Sequence, residues 1–151
     1  MWMRWSTRIP RRVLEPRRPR GIIDTSVVID LERIDPAELP TELAVSAVTL
    51  AELAAGPHAT PDPLERARRQ DRLQRAEATF DPLPFDIAAA RAYGRIYAAV
   101  MASGRKARGR RALDLLIAAT ALARDLPLYT RNPDDFVSLD EMLHVVAVAH
   151  G

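Results

Sequence analysis

The sequence predicts an α/β protein, a three-layer α/β/α sandwich around a central, mostly parallel sheet of about five strands. Two observations predict it. From Gly21 onward, short apolar runs alternate with longer stretches of helical periodicity, the pattern of successive strand–helix units. The 151 residues, 48% apolar and 28% charged, also match a single globular domain large enough to bury a core unaided.

The elements follow in order. Gly21-Ile22-Ile23 reads as the first strand, ended by Asp24-Thr25-Ser26, and Val27 to Arg33 as a short helix capped by Thr25 or Ser26. Leu43 to Ser46 is the next strand, followed by a helix from Val48 to Ala55 that stops at Gly56-Pro57. Beyond a proline-rich loop, Leu64 to Thr79 forms a helix with a thin apolar stripe of Leu64, Ala67, Leu73 and Ala76 and five arginines on its solvated face. Pro82 to Phe85 is extended, and Asp86 caps a helix from Ile87 to Ala102 that ends at Ser103-Gly104. A loop with five cations in seven positions, Arg105 to Arg111, leads into a helix from Ala112 to Arg124. Pro127 to Thr130 is a strand, Asn132 to Phe136 a turn, and His144 to Val148 the last strand.

Charge is unevenly spread. Residues 1–20 hold seven arginines against Glu15, while the rest carries 15 basic and 19 acidic residues, so an acidic body of net charge −4 wears an arm of +6. We read residues 1–20 as a basic, flexible arm, or as an artefact of the assumed start, and residues 21–151 as the domain. No apolar run suits a signal peptide or a membrane span, which leads to the expectation of a cytoplasmic protein. Without cysteine there is no disulfide, thiolate zinc site or thiol nucleophile. His58, His144 and His150 show no paired spacing and do not suggest zinc.

In open parallel sheets, ligands bind at the carboxyl ends of the strands. Asp24 ends the first strand, Glu52 lies on the helix after the second, Asp114 opens the helix after the basic loop, and Asp134 and Asp135 follow the strand ending at Thr130. Glu52 and Asp114 sit in nearly all-apolar helices, which should be largely buried, and an unpartnered buried carboxylate costs several kcal/mol. Either an arginine such as Arg111 pairs with these acids, or several of them share a cation. Their number at one edge shifts the balance towards a metal, and an all-oxygen site suits Mg²⁺ or Mn²⁺. Such an ion bridges a phosphate oxygen and an activated water, with no side-chain nucleophile. The basic loop, Arg105, Lys106, Arg108, Arg110 and Arg111, would then meet a nucleic-acid backbone.

Four segments carry a resemblance: Ile22-Ile23-Asp24-Thr25-Ser26, Thr49-Leu50-Ala51-Glu52-Leu53, Arg111-Ala112-Leu113-Asp114-Leu115-Leu116-Ile117-Ala118-Ala119, and Thr130-Arg131-Asn132-Pro133-Asp134-Asp135-Phe136. In this order they resemble the four motifs of PIN-domain ribonucleases, in particular the VapC toxins of bacterial toxin–antitoxin pairs. The resemblance implies that Asp24, Glu52, Asp114 and Asp135 are the catalytic, Mg²⁺- or Mn²⁺-binding acids, with Asp134 the solvent-facing neighbour of Asp135. It implies that Thr25 and Thr130 brace the site and that Asn132 stands where some members carry an acid. It further implies an endoribonuclease acting on tRNA or ribosomal RNA, a homodimer, and inhibition by a small VapB-like antitoxin. The basic arm lies outside the family pattern. Two other readings stand beside this one. A receiver-like or haloacid-dehalogenase-like phosphoacceptor would use Asp24 but wants a well-placed lysine, and Lys106 is the only lysine in the chain. An inactive RNA-binding PIN-like module would bind without cutting.

Overall fold

In the computed structural model, which describes residues 3–4, 19–105 and 109–149, a five-stranded sheet forms the middle layer. Its elements are β1 (Met3–Arg4), β2 (Arg20–Ile23), α1 (Thr25–Ile29), β3 (Glu42–Ala44), α2 (Ala47–Ala55), α3 (Pro63–Thr79), α4 (Ile87–Ala102), α5 (Arg110–Ala123), β4 (Leu128–Thr130) and β5 (Val145–Ala147). Strands run in the order β1-β3-β2-β4-β5, all parallel except β1, which pairs antiparallel to β3 with Met3 opposite Leu43. Most of the basic arm, with Lys106 and Arg108, lies outside the described residues, while Met3–Arg4 and Arg20 belong to the sheet.

The period-2 alternation of the strands divides the core. Ile22, Ala44 and Leu128 face one layer, where they pack with Ile96 and Val100 of α4 and with Leu115, Ala118 and Ala119 of α5. Ile23, Leu43 and Tyr129 face the other, with Val27 and Val28 of α1, Leu39, Leu53 of α2 and Ala76 of α3. Helices α4 and α5 pack against one another along much of their length. Gly21 is required by proximity, since a Cβ there would lie 2.6 Å from the ring of Tyr129.

Several sequence expectations need correction. The first helix begins at Thr25 with Asp24 as its N-cap, and Leu31–Arg33 is a separate 3-10 turn. Pro82–Phe85 is no strand; Leu83 makes only an isolated parallel bridge to Ser46, and β1 supplies the fifth strand instead. The stretch after Asn132 is a 3-10 helix, Pro133–Leu139, and the last strand is confined to Val145–Ala147. Helix α5 starts at Arg110, so the end of the basic loop is its first turn. Leu64 and Ala67 of α3 are exposed, leaving Ala76 and half-buried Leu73 as its contact with the core. Helix α2 is less buried than its apolar sequence suggests: Ala51, Ala54 and Ala55 are exposed, since a single methyl group has little apolar area to remove from water.

Candidate active site at the carboxyl edge of the sheet

Parallel strands bring their carboxyl ends to one edge, and the helices that follow begin there. Asp24 directly follows β2, Ser46 caps α2 just beyond β3, and Arg131 and Asn132 directly follow β4. Helix α5 runs back across the sheet before β4, which puts its opening turns, and with them Asp114, towards the same edge. Helix α2 touches both α1 and α5.

Asp24 is the buried member, 3% exposed. Its Oδ1 accepts the Val27 N–H at 3.2 Å, capping α1, and the Ser26 hydroxyl at 2.5 Å. Burial pushes its carboxyl above the usual 3.8, against the lowering effect of hydrogen bonds from Ser26, Thr130 and Val27. No arginine offsets that burial among the described residues. Among the described residues, Arg131 pairs with Asp30 and Arg111 with Asp135.

Two backbone groups of the loop after β4 support this carboxylate through hydroxyls. The Asn132 N–H donates to Thr130 Oγ1 at 3.0 Å, and the Arg131 N–H donates to Ser26 Oγ at 3.1 Å. Thr130 and Ser26 then each turn a hydroxyl to Asp24. Thr25 serves Glu52: its Oγ1 donates to Glu52 Oε1 at 2.8 Å and lies 3.0 Å from Thr49 Oγ1. Glu52 and Asp114 are half-buried.

Asp135 is half-buried in the 3-10 helix Pro133–Leu139 and meets Arg111 at 3.8 Å. Asp134 is exposed, and its carbonyl accepts from Arg105 at 3.0 Å. Arg105 and Arg111 thus border the acidic edge, the side chain of Arg110 is outside the description, and Asn132 enters through its backbone. Among the described residues, no three Asp, Glu or His side chains stand close enough together to form a ready-made metal cage.

Sequence reasoning missed Ser26, Thr49 and the Arg131–Asp30 pair as parts of this arrangement. The signal for Ser26 was present, since a serine two residues after an Asp is well placed to bond it locally. No sequence signal links Arg131 to Asp30, 101 residues apart.

The family model for the PIN domain matches residues 22–142. The chain is 41% identical over 123 residues to the protein named Ribonuclease VapC5 of Mycobacterium tuberculosis, covering 80% of this chain and 87% of that one. It is 34% identical to VapC ribonuclease Y4jK of Sinorhizobium fredii, covering 76% and 89%. Among solved structures, a VapBC-5 toxin–antitoxin chain from Mycobacterium tuberculosis superposes with a TM-score of 0.75 at 38% identity, covering 86% of this chain and 99% of that one. A FitAcB chain from Neisseria gonorrhoeae superposes with a TM-score of 0.61 at 26% identity, covering 82% and 94%.

Proposed function

Since the chain belongs to the PIN-domain family, in its VapC branch, we propose that it is the ribonuclease toxin of a toxin–antitoxin pair, hydrolysing RNA phosphodiesters with Mg²⁺ or Mn²⁺. Its tRNA or ribosomal RNA target and homodimeric state are part of the same reading. The observation that carries the metal is Asp24: a carboxylate that the fold buries at the carboxyl edge of the sheet, with no cationic partner among the described residues, is short of a positive charge.

The donor set fits the ion. Mg²⁺ is commonly held by one or two carboxylates, with water and substrate phosphate in its other positions, so a crowded cage is unnecessary. Asp24 would be the principal ligand, with Glu52, Asp114 and Asp135 contributing directly or through water. Bound there, the ion would supply a water of lowered pKa and neutralise charge on the phosphate.

The remaining work falls to the protein. Ser26 and Thr130 fix the carboxylate of Asp24, and Thr25 fixes that of Glu52, so neither acid has to reorganise when substrate arrives. Arg105 and Arg111 offer guanidinium groups to the RNA backbone beside the acids. The partner is a small VapB-like antitoxin, following the VapBC complexes whose toxin chains this fold matches.

The test is cleavage of RNA by the purified chain with Mg²⁺, with EDTA, and after Asp24→Asn. Both EDTA and the substitution are expected to reduce the rate about a hundredfold or more. Cleavage by Asp24→Asn at the wild-type rate overturns the reading. Antitoxin partnership is tested separately, by co-expression with a candidate small VapB-like protein, co-purification of the two, and loss of cleavage on its addition.

A further inference from the structure

We propose that Arg131 is a positioning residue for Asp24, acting at a distance through the loop after β4 and the hydroxyl of Ser26. Three observations carry it. The Arg131 side chain is only 10% exposed and its guanidinium is clamped by Asp30, the C-cap of α1. The same residue's N–H donates to Ser26 Oγ at 3.1 Å, and Ser26 donates to Asp24 Oδ1 at 2.5 Å. Arg131 Nε is buried with no hydrogen-bond partner among the described residues, so the arrangement tolerates an unsatisfied donor.

Geometry explains why a side chain is needed. The backbone bond from the Asp24 N–H to the Tyr129 carbonyl and the Arg131–Asp30 clamp tie β4 and its loop to the two ends of α1. With both ends held, the Arg131 N–H has one place to point, and Ser26 is fixed as a two-sided bridge that accepts on one side and donates on the other. An apolar residue at 131 would pack the same space without the cost of burying a cation. What it would lose is the tether that sets the direction of the N–H. Asp24 would then keep its cap bond to Val27 but hold Oδ1 less firmly. Residues behind a metal ligand commonly change metal affinity by tenfold or more when removed, because they orient the ligand.

This inference rests on the metal-dependent reading above. The experiment titrates Mn²⁺ onto the full chain, following free Mn²⁺ by electron paramagnetic resonance, for wild type, Arg131→Met, Arg131→Lys, Ser26→Ala and the double variant Arg131→Met/Ser26→Ala. RNA binding in EDTA is measured alongside. Arg131→Met and Ser26→Ala are each expected to weaken Mn²⁺ binding about tenfold while leaving RNA binding in EDTA within about twofold. Arg131→Lys, which keeps a cation for Asp30, should recover much of the loss. Because both residues act in series, the double variant should bind Mn²⁺ no more weakly than Ser26→Ala alone. Mn²⁺ affinities close to wild type in both single variants, or losses that add in the double variant, overturn the proposal. Should Arg131→Met fail to fold, Asp30→Asn probes the same clamp, and wild-type Mn²⁺ affinity in that variant overturns the proposal equally. A wild-type chain that binds no Mn²⁺ overturns the metal reading itself, and this inference with it.

Discussion

Thr25 and Glu52, 27 residues apart in sequence, meet through a 2.8 Å hydrogen bond that joins the start of α1 to the middle of α2. The hydroxyl also lies 3.0 Å from Thr49, so one buried side chain orients an acid and links two helices. Thr25 follows Asp24 directly, which means that α1 delivers two acids at once: one by its own N-cap and one by the hydroxyl next to it.

Replacing Thr25 with valine keeps the volume and removes the hydroxyl. Thermal or urea unfolding should show a loss of about 1–2 kcal/mol, the ordinary consequence of deleting one side of a buried hydrogen bond. RNA cleavage should fall by more than the unfolded fraction explains, since Glu52 loses its orientation. Wild-type cleavage in a folded Thr25→Val chain would show that Glu52 needs no such support.

Asp24 makes stability depend on pH in an uncommon direction. Burial raises its folded-state pKa above 3.8, so between the unfolded value and the raised one the native state holds the proton that the unfolded state has released. The contribution is complete below the unfolded pKa and is lost as pH rises through the folded pKa. In metal-free buffer the melting temperature of Asp24→Asn should therefore rise relative to wild type as pH increases from acid to neutral. Adding Mg²⁺ or Mn²⁺ should narrow that gap by stabilising only the wild type. A gap that does not vary with pH contradicts the assignment.

The Arg111–Asp135 pair should show the opposite balance between stability and function. At 3.8 Å, with Asp135's side chain 44% exposed, it contributes under about 1 kcal/mol to folding. Arg111→Ala should melt within a few degrees of wild type, while KM for RNA rises because a phosphate contact is lost. An unchanged KM would remove Arg111 from the RNA path.

Gly21→Ala tests the packing beneath the site. The added Cβ would fall 2.6 Å from Tyr129 Cε2 and 3.2 Å from Pro40, and β2 and β4 flank one another there. We expect a loss of about 1–3 kcal/mol, the usual range for overpacking, measured by urea denaturation. Tyr129→Leu in the same chain should recover part of it.

How much of this was readable beforehand differs by level. Strand–helix alternation gave the layers, because Ile22 and Ile23, adjacent in sequence, must face opposite sides of a strand and each needs a helical layer to cover it. Glu52 and Asp114 stood out as acids inside apolar helices and Asp24 as an acid at a strand end, while Asp135 was singled out by its place in the family motif. The burial of α2 was overestimated because alanine reads as apolar yet sits comfortably in water. Pro82 to Phe85 resembled a strand in composition, but with proline at Pro82 and Pro84 it offers few donors for a ladder, and only Leu83 bridges. Arg131 and Asp30 were illegible, since an ion pair spanning 101 residues leaves no local trace. Ser26 was visible but ambiguous, serving as well for a cap as for a bridge.

The pairing of Met3–Arg4 with β3 has a bearing on any shorter version of the chain. A product initiated just ahead of Gly21 would keep all four acids, yet it would leave Glu42–Ala44 as a bare outer strand with unanswered amides and carbonyls. Such a rim invites a foreign strand, and self-association of the truncated form, rather than lost catalysis, would be its first symptom.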